Sequence, residues 1–172
     1  ASADLTNTTL LETSAKWFIP VIISTGMSRL DEIERAANVM NRSNCPYALL
    51  HCNSTYPTPF KDISLKFMPQ LSSYSEFGLY GYSGHERGIE VPLAAIALGA
   101  CIVEKHFTID RSMRGNDHKV SLLPNEFSQM VASGRNITES LGSSLRSMSQ
   151  GEMINRENLA KSIVASRRSE ER

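Results

Sequence analysis

Neither charge sign is in surplus in this 172-residue sequence, where 18 Lys and Arg stand against 18 Asp and Glu. Phosphate backbones are bound by an excess of cations gathered on one surface, so the balance removes the electrostatic argument for a nucleic-acid partner. Long apolar runs are missing too. Nothing approaches the ~20 residues of a membrane-spanning helix, and Ala1-Ser2-Ala3-Asp4 has neither the charged nor the apolar region of a secretory signal. Cysteine is scarce: Cys45, Cys52 and Cys101 are odd in number and widely spaced, which indicates neither a disulfide framework nor a CxxC zinc site. A reducing cytoplasm is the expected setting. The length suits a domain with a real core.

What is present is a repeated alternation. The opening residues read as the end of a strand running into a helix, and Thr8 to Lys16 as a short helix. Pro20 to Gly26 is a β-branched apolar run stopped by small residues, the pattern of a buried strand. Ser28, with Asp31 three residues on, reads as a helix N-cap, and Leu30, Ile33, Ala37 and Met40 share one helical face. Tyr47 to Cys52 is the next strand, closed by a loop in which Pro57 and Pro59 forbid helix. Leu65 to Tyr74 is helical, Leu79 to Ser83 a short strand, and Ile89 to Leu98 a helix that tolerates Pro92 in its first turn and stops at Gly99. Cys101 to Phe107 is the last clear strand. Pro124 opens a long helix whose apolar stripe runs through Phe127, Met130, Val131, Ile137 and Leu141.

Apolar strands in a repeated βα order imply a parallel sheet covered on both faces. Four βα units over about 145 residues make roughly half of the ~250 residues of a (β/α)8 TIM-type barrel. That assigns residues 1–142 to a half-barrel. Residues 143–157, rich in Ser and Gly, read as a flexible linker, and 158–172 as the possible start of another domain, with a strand between Leu159 and Ala165.

In a parallel barrel, catalytic groups sit at the C-terminal ends of strands. Ser24, Ser54, Tyr56, Ser83, His85, Glu104 and His106 occupy those ends. Strand side chains alternate with period two, so Ser83 shares a face with His85 and Glu104 with His106, and the phase extends to Ser24 and Ser54. Two neutral imidazoles on neighbouring strands suit a divalent metal acting as Lewis acid; equally, each is a satisfied or surface histidine if taken alone. Glu104 is open to reading as ligand, orienter or base, or simply as a partner of Lys105 or Arg111. The strand-end Ser and Gly residues offer hydroxyls and backbone N–H groups to phosphate or carboxylate oxygens, or merely make turns. The loop Arg114 to Lys119 either closes over a substrate or is a solvated connection.

Five ordered motifs then carry a resemblance: Ile22-Ile23-Ser24-Thr25-Gly26-Met27, Leu50-His51-Cys52-Asn53-Ser54-Thr55-Tyr56-Pro57, Gly81-Tyr82-Ser83-Gly84-His85, Gly99 to Thr108 with Glu104-Lys105-His106, and Gly115-Asn116-Asp117-His118. Over roughly residues 1–142 the chain resembles the sialic acid synthase family. Such enzymes condense phosphoenolpyruvate with an N-acylated amino sugar, usually N-acetylmannosamine or its 6-phosphate, releasing phosphate. They carry a (β/α) barrel and a small antifreeze-like domain, and work as homodimers.

The resemblance implies that His85 and His106 bind Mn2+ or Mg2+. Ser2, Ser24, Ser54, Tyr56 and Ser83 match the phosphoenolpyruvate pocket, Tyr56 and Asp117 match sugar-binding positions, and Glu104 matches an acidic catalytic residue beside the metal. Ser54 departs from a frequent Asn, and Phe18-Ile19 replaces a usual Gly-Lys far from the barrel mouth. It also implies that the chain carries strands 4 to 8, the first of them cut, so that a catalytic Glu and phosphate-binding lysines lie before Ala1. The antifreeze-like domain is then represented at most by Asn158 to Ser166. On this reading the chain alone is expected to be inactive. Alternatives are a synthase of legionaminate or pseudaminate, a non-catalytic half-barrel that associates through open sheet edges, and a metal-dependent aldolase or hydrolase.

Overall fold

The computed structural model describes residues 1–161. Contacts divide the chain into a first unit, Ala1–Leu141, and a second that begins at Gly142. The first unit is built on β1 (Val21–Ser24), β2 (Tyr47–Cys52), β3 (Tyr80–Gly84) and β4 (Ile102–Lys105), all parallel and in spatial order β1-β2-β3-β4. Helix α1 (Thr8–Ala15) precedes β1, α2 (Leu30–Arg42) and α3 (Glu90–Ala97) lie between strands, and α4 (Pro124–Leu141) follows β4. Sequential neighbours in a parallel sheet need crossover segments, supplied here by α2 between β1 and β2, by the 3-10 stretch Leu65–Tyr74 between β2 and β3, and by α3 between β3 and β4.

Pleating sorts the strand residues into two rows. Val21, Ile23, Tyr47 and Leu49 face the helices and join a core with Leu11, Ala15, Ile33, Ala37, Met40 and Leu71. Further along the sheet, Tyr82 packs with Ile63, Met68 and Ala95. Leu49 is fully buried; a Leu contributes ~2 kcal/mol on burial, and cutting it to Ala would cost ~2–5 kcal/mol once the cavity is counted. The opposite row ends in the polar residues of the site.

Local differences from the expected pattern have local causes. Residues Ser2–Asp4 form a 3-10 turn, not the end of a strand. Helix α2 is capped one residue later than expected: the Arg29 N–H donates to the Glu32 carboxylate at 2.8 Å, while the Ser28 hydroxyl turns back to the Gly26 carbonyl. Leu65–Tyr74 is helical but of the 3-10 type, with Pro69 inside it and Ser64 before it in a left-handed conformation; proline removes an N–H from the turn and so disfavours the regular α-helical ladder. Gly99, at φ +91°, ends α3 as the αL position requires. In the second unit α5 (Gln150–Leu159) lies within and just beyond the stretch read as a linker, 143–157. Ser149 accepts from the Glu152 N–H and Glu152 from the Ser149 N–H, a capping box that outweighs the Ser and Gly composition. Leu159 ends that helix, and the remainder of the strand expected between Leu159 and Ala165 lies mostly outside the described residues. All three cysteines are free thiols. Among the described residues no helix is long and apolar enough to cross a membrane.

Candidate active site

The inward row converges at the C-terminal ends of the strands. A cavity of about 360 Å³ there is lined by Ser2, Ser24, Ser54, Tyr56, Ser83, His85, Glu104 and His106, with Ala1, Ala3 and Met27. Every strand-end residue singled out from the sequence therefore reaches one space. Asp117 is not part of that lining, yet its Oδ2 lies 3.8 Å from His106 Nδ1 at the rim, with the carboxylate side chain 65% exposed.

The serines are brought together by a close backbone approach at Gly26. The Ser2 hydroxyl accepts from the Gly26 N–H at 3.1 Å, and a Cβ on Gly26 would stand 2.2 Å from Ser54 Oγ and 2.7 Å from Ser2 Oγ. Ser83 Oγ donates to Glu104 Oε1 at 2.7 Å, across the β3–β4 register that pairs the two residues. Glu104 thus pairs with neither Lys105 nor Arg111. Lys105 meets Glu86 in a fully buried ion pair, and Arg111 meets Glu126.

The imidazoles of His85 and His106 have ring centroids 5.0 Å apart at 71°, and Tyr56 stacks over His85 at 4.1 Å. His85 Nδ1 lies 2.7 Å from the Asn53 carbonyl oxygen. A carbonyl only accepts, so Nδ1 carries a proton, and in the neutral ring Nε2 then keeps the lone pair, the arrangement that orients a metal-binding histidine. Burial works to lower the His85 pKa, but the hydrogen bonds to Cys52 and Asn53 outweigh it and the pKa is raised. His106 is lowered, by burial first and then by the neighbouring His85. Among the described residues no group of three or more His, Cys, Asp and Glu side chains converges as a metal-ligand set.

Two contributors went unnoticed in the sequence. Cys52 Sγ lies 3.6 Å from Ser2 Oγ and 3.7 Å from His85 Nδ1. Burial tends to raise its pKa, but His85 and Ser2 bring it below the usual thiol value. Its position was legible, because period two from Ala48 and Leu50 puts Cys52 in the inward row. The other is the Glu86–Lys105 pair, in which Lys105 is the last residue of β4 and Glu86 lies two beyond β3, with no motif to announce a bond. Among the described residues no Lys or Arg lines the cavity.

The NeuB family profile matches residues 1–146. N,N'-diacetyllegionaminic acid synthase of Campylobacter jejuni is 42% identical over 167 residues, covering 95% of this chain and 50% of that protein. The human N-acetylneuraminate-9-phosphate synthase is 37% identical over 164 residues, covering 95% and 46%. The chain thus spans about half the length of these relatives. Among solved structures, the N-acetylneuraminic acid (sialic acid) synthetase of Leptospira borgpetersenii, in complex with citrate, superposes with a TM-score of 0.81 at 39% identity over 94% of this chain and 57% of that one.

Proposed function

The chain belongs to the NeuB family, and from that premise we propose that it carries one wall of a nonulosonic acid synthase active site, condensing phosphoenolpyruvate with an N-acylated amino sugar. The observation that carries the reading is the convergence of serine hydroxyls, Tyr56, Glu104 and two imidazoles in a single cavity at the strand ends. The Ser24 and Ser54 hydroxyls supply hydrogen bonds for phosphate and carboxylate oxygens, and Ser83 would add a third by turning its single proton away from Glu104. Phosphoenolpyruvate carries several negative charges, which hydroxyls alone hold poorly. With no Lys or Arg in the lining, the reading requires cations beyond it.

The imidazole pair fits a divalent ion: His85 presents a free Nε2, and neutral imidazole suits Mn2+ less specifically than Zn2+ but binds both. An ion held by His85 and His106, Mn2+ or Mg2+, would supply Lewis-acid polarisation of the open-chain sugar aldehyde. Tyr56 walls the pocket over His85 and orients the sugar. Glu104, steadied through Oε1 by Ser83, keeps Oε2 free to exchange a proton with the reacting oxygens. Asp117 accepts from sugar hydroxyls at the rim. In the overall change, C3 of phosphoenolpyruvate bonds to the aldehyde carbon, water adds at C2, and phosphate leaves.

N-acetylmannosamine or its 6-phosphate is the leading sugar, giving N-acetylneuraminate or its 9-phosphate. A second reading, a diacetamido sugar leading to a legionaminate, is supported by the 42% identity to the C. jejuni legionaminic acid synthase. Phosphate release is the test: with phosphoenolpyruvate, Mn2+ and each sugar in turn, the intact enzyme containing this segment should release phosphate only when both substrates are present. Cleavage of a sugar acid to pyruvate without phosphate release would establish an aldolase instead.

A further inference from the structure

The ends of β3 and β4 are joined by a device on the face opposite the site. The ladder between these strands ends at the pair Gly84 and Lys105. Two residues past the end of β3, Glu86 turns back. Its Oε1 accepts from Lys105 Nζ at 2.9 Å, its backbone carbonyl accepts from the same ammonium group, and its Oε2 accepts from the Tyr82 hydroxyl at 2.5 Å. Both charged side chains are 0% exposed. Gly84 makes room for the turn, since a Cβ there would lie 2.7 Å from either carboxylate oxygen. Period two puts Tyr82, Gly84, Glu86 and Lys105 on the helix side, while Ser83, His85, Glu104 and His106 face the cavity.

Stability alone does not account for this cluster, because apolar residues of similar volume replace buried ion pairs at little or no loss. What the pair does supply is a link between two strand ends past the point where backbone pairing stops. Glu86 directly follows His85, and Lys105 lies between Glu104 and His106. We propose that Glu86 and Lys105 are positioning residues that fix the spacing and tilt of the His85 and His106 imidazoles. The proposal rests on the reading of those imidazoles as a divalent-metal pair, and its test separates the two.

Three variants of the intact protein decide it: Glu86→Gln, Lys105→Arg, and the apolar replacement Glu86→Leu with Lys105→Met. Readouts are the thermal midpoint, Mn2+ affinity by electron paramagnetic resonance, and the metal-free ring resonances of 13C-labelled histidine. The apolar replacement should keep a near-normal midpoint yet weaken Mn2+ binding about tenfold or more, and shift the His85 and His106 ring signals while leaving His118 in place. Lys105→Arg should stay close to the parent in all three. If the apolar replacement fails to fold, Glu86→Gln, which keeps the shape, should still move both ring signals. Unmoved signals with unchanged Mn2+ affinity would overturn the proposal. If the parent protein binds no Mn2+, the metal reading fails, and the ring signals alone still decide the positioning role.

Discussion

The His85 and His106 rings stand 5.0 Å apart and 71° from coplanar, brought together from the ends of adjacent parallel strands. Their spacing in sequence matches no short metal-binding motif. Their meeting depends on the β3–β4 register and on a shared pleat phase.

If these rings hold a divalent ion, either His85→Ala or His106→Ala in the intact enzyme should lower turnover about a hundredfold or more and weaken Mn2+ binding by at least as much. Groups that merely orient ligands are worth 10–100-fold, and a ligand should be worth no less. Near-normal turnover or Mn2+ binding in either variant would remove the metal assignment.

Ser83 and Glu104 give a separable prediction. Their hydrogen bond is charge-assisted at 2.7 Å. Removing the hydroxyl in Ser83→Ala releases the carboxylate and takes away the single proton that Ser83 can turn either to Glu104 or to a bound anion, a loss of about 1–3 kcal/mol, or roughly 5- to 150-fold. Steady-state kinetics should show it chiefly as a raised KM for phosphoenolpyruvate. An unchanged KM would mean that Ser83 serves only to hold Glu104.

Two glycines should respond unequally to the same change. In Gly26→Ala the added methyl meets the hydroxyls of Ser54 and Ser2, which can rotate away, so the stability loss should stay under about 1 kcal/mol while substrate affinity falls. In Gly81→Ala the methyl would lie 2.2 Å from the Ile102 backbone carbonyl oxygen. A neighbouring strand has no rotamer to change, and the cost should reach about 3 kcal/mol or more. Urea unfolding of both variants checks the order; equal midpoints would contradict it.

How much was readable beforehand follows from which interactions are local. The β2 strand was legible because Tyr47 to Cys52 is an unbroken apolar run, and the inward row because alternation is a property of any strand. Asp117 came from resemblance alone, since its approach to His106 depends on how a polar loop folds back. The capping of α2 slipped by one residue because Ser28 and Arg29 both precede an acidic residue at the right distance, and only the competing bond from Ser28 to the Gly26 carbonyl decides between them. The Glu86–Lys105 pair was unreadable for a stronger reason. Lys105 had nearer apparent partners in sequence, and its real one became available only through the turn that Gly84 permits.

The last prediction concerns His51, which lies on the helix side of β2, away from the His85 and His106 rings. Its Nε2 donates to the Ile63 carbonyl at 2.5 Å, and Phe67 and Tyr82 pack around the ring. Burial lowers its pKa from 6.5, and the bond to Ile63 only partly opposes this. The folded chain therefore resists a proton that the unfolded chain accepts near pH 6.5. Stability from this group is complete above that pH and declines as pH falls through it, by at most about 1.4 kcal/mol per pH unit, until the folded-state pKa is passed. His51→Gln removes the titration while leaving an amide N–H to face Ile63. Denaturant midpoints measured from pH 7.5 to 5 should therefore fall less steeply in the variant than in the parent. Parallel profiles would show that His51 carries none of the acid sensitivity.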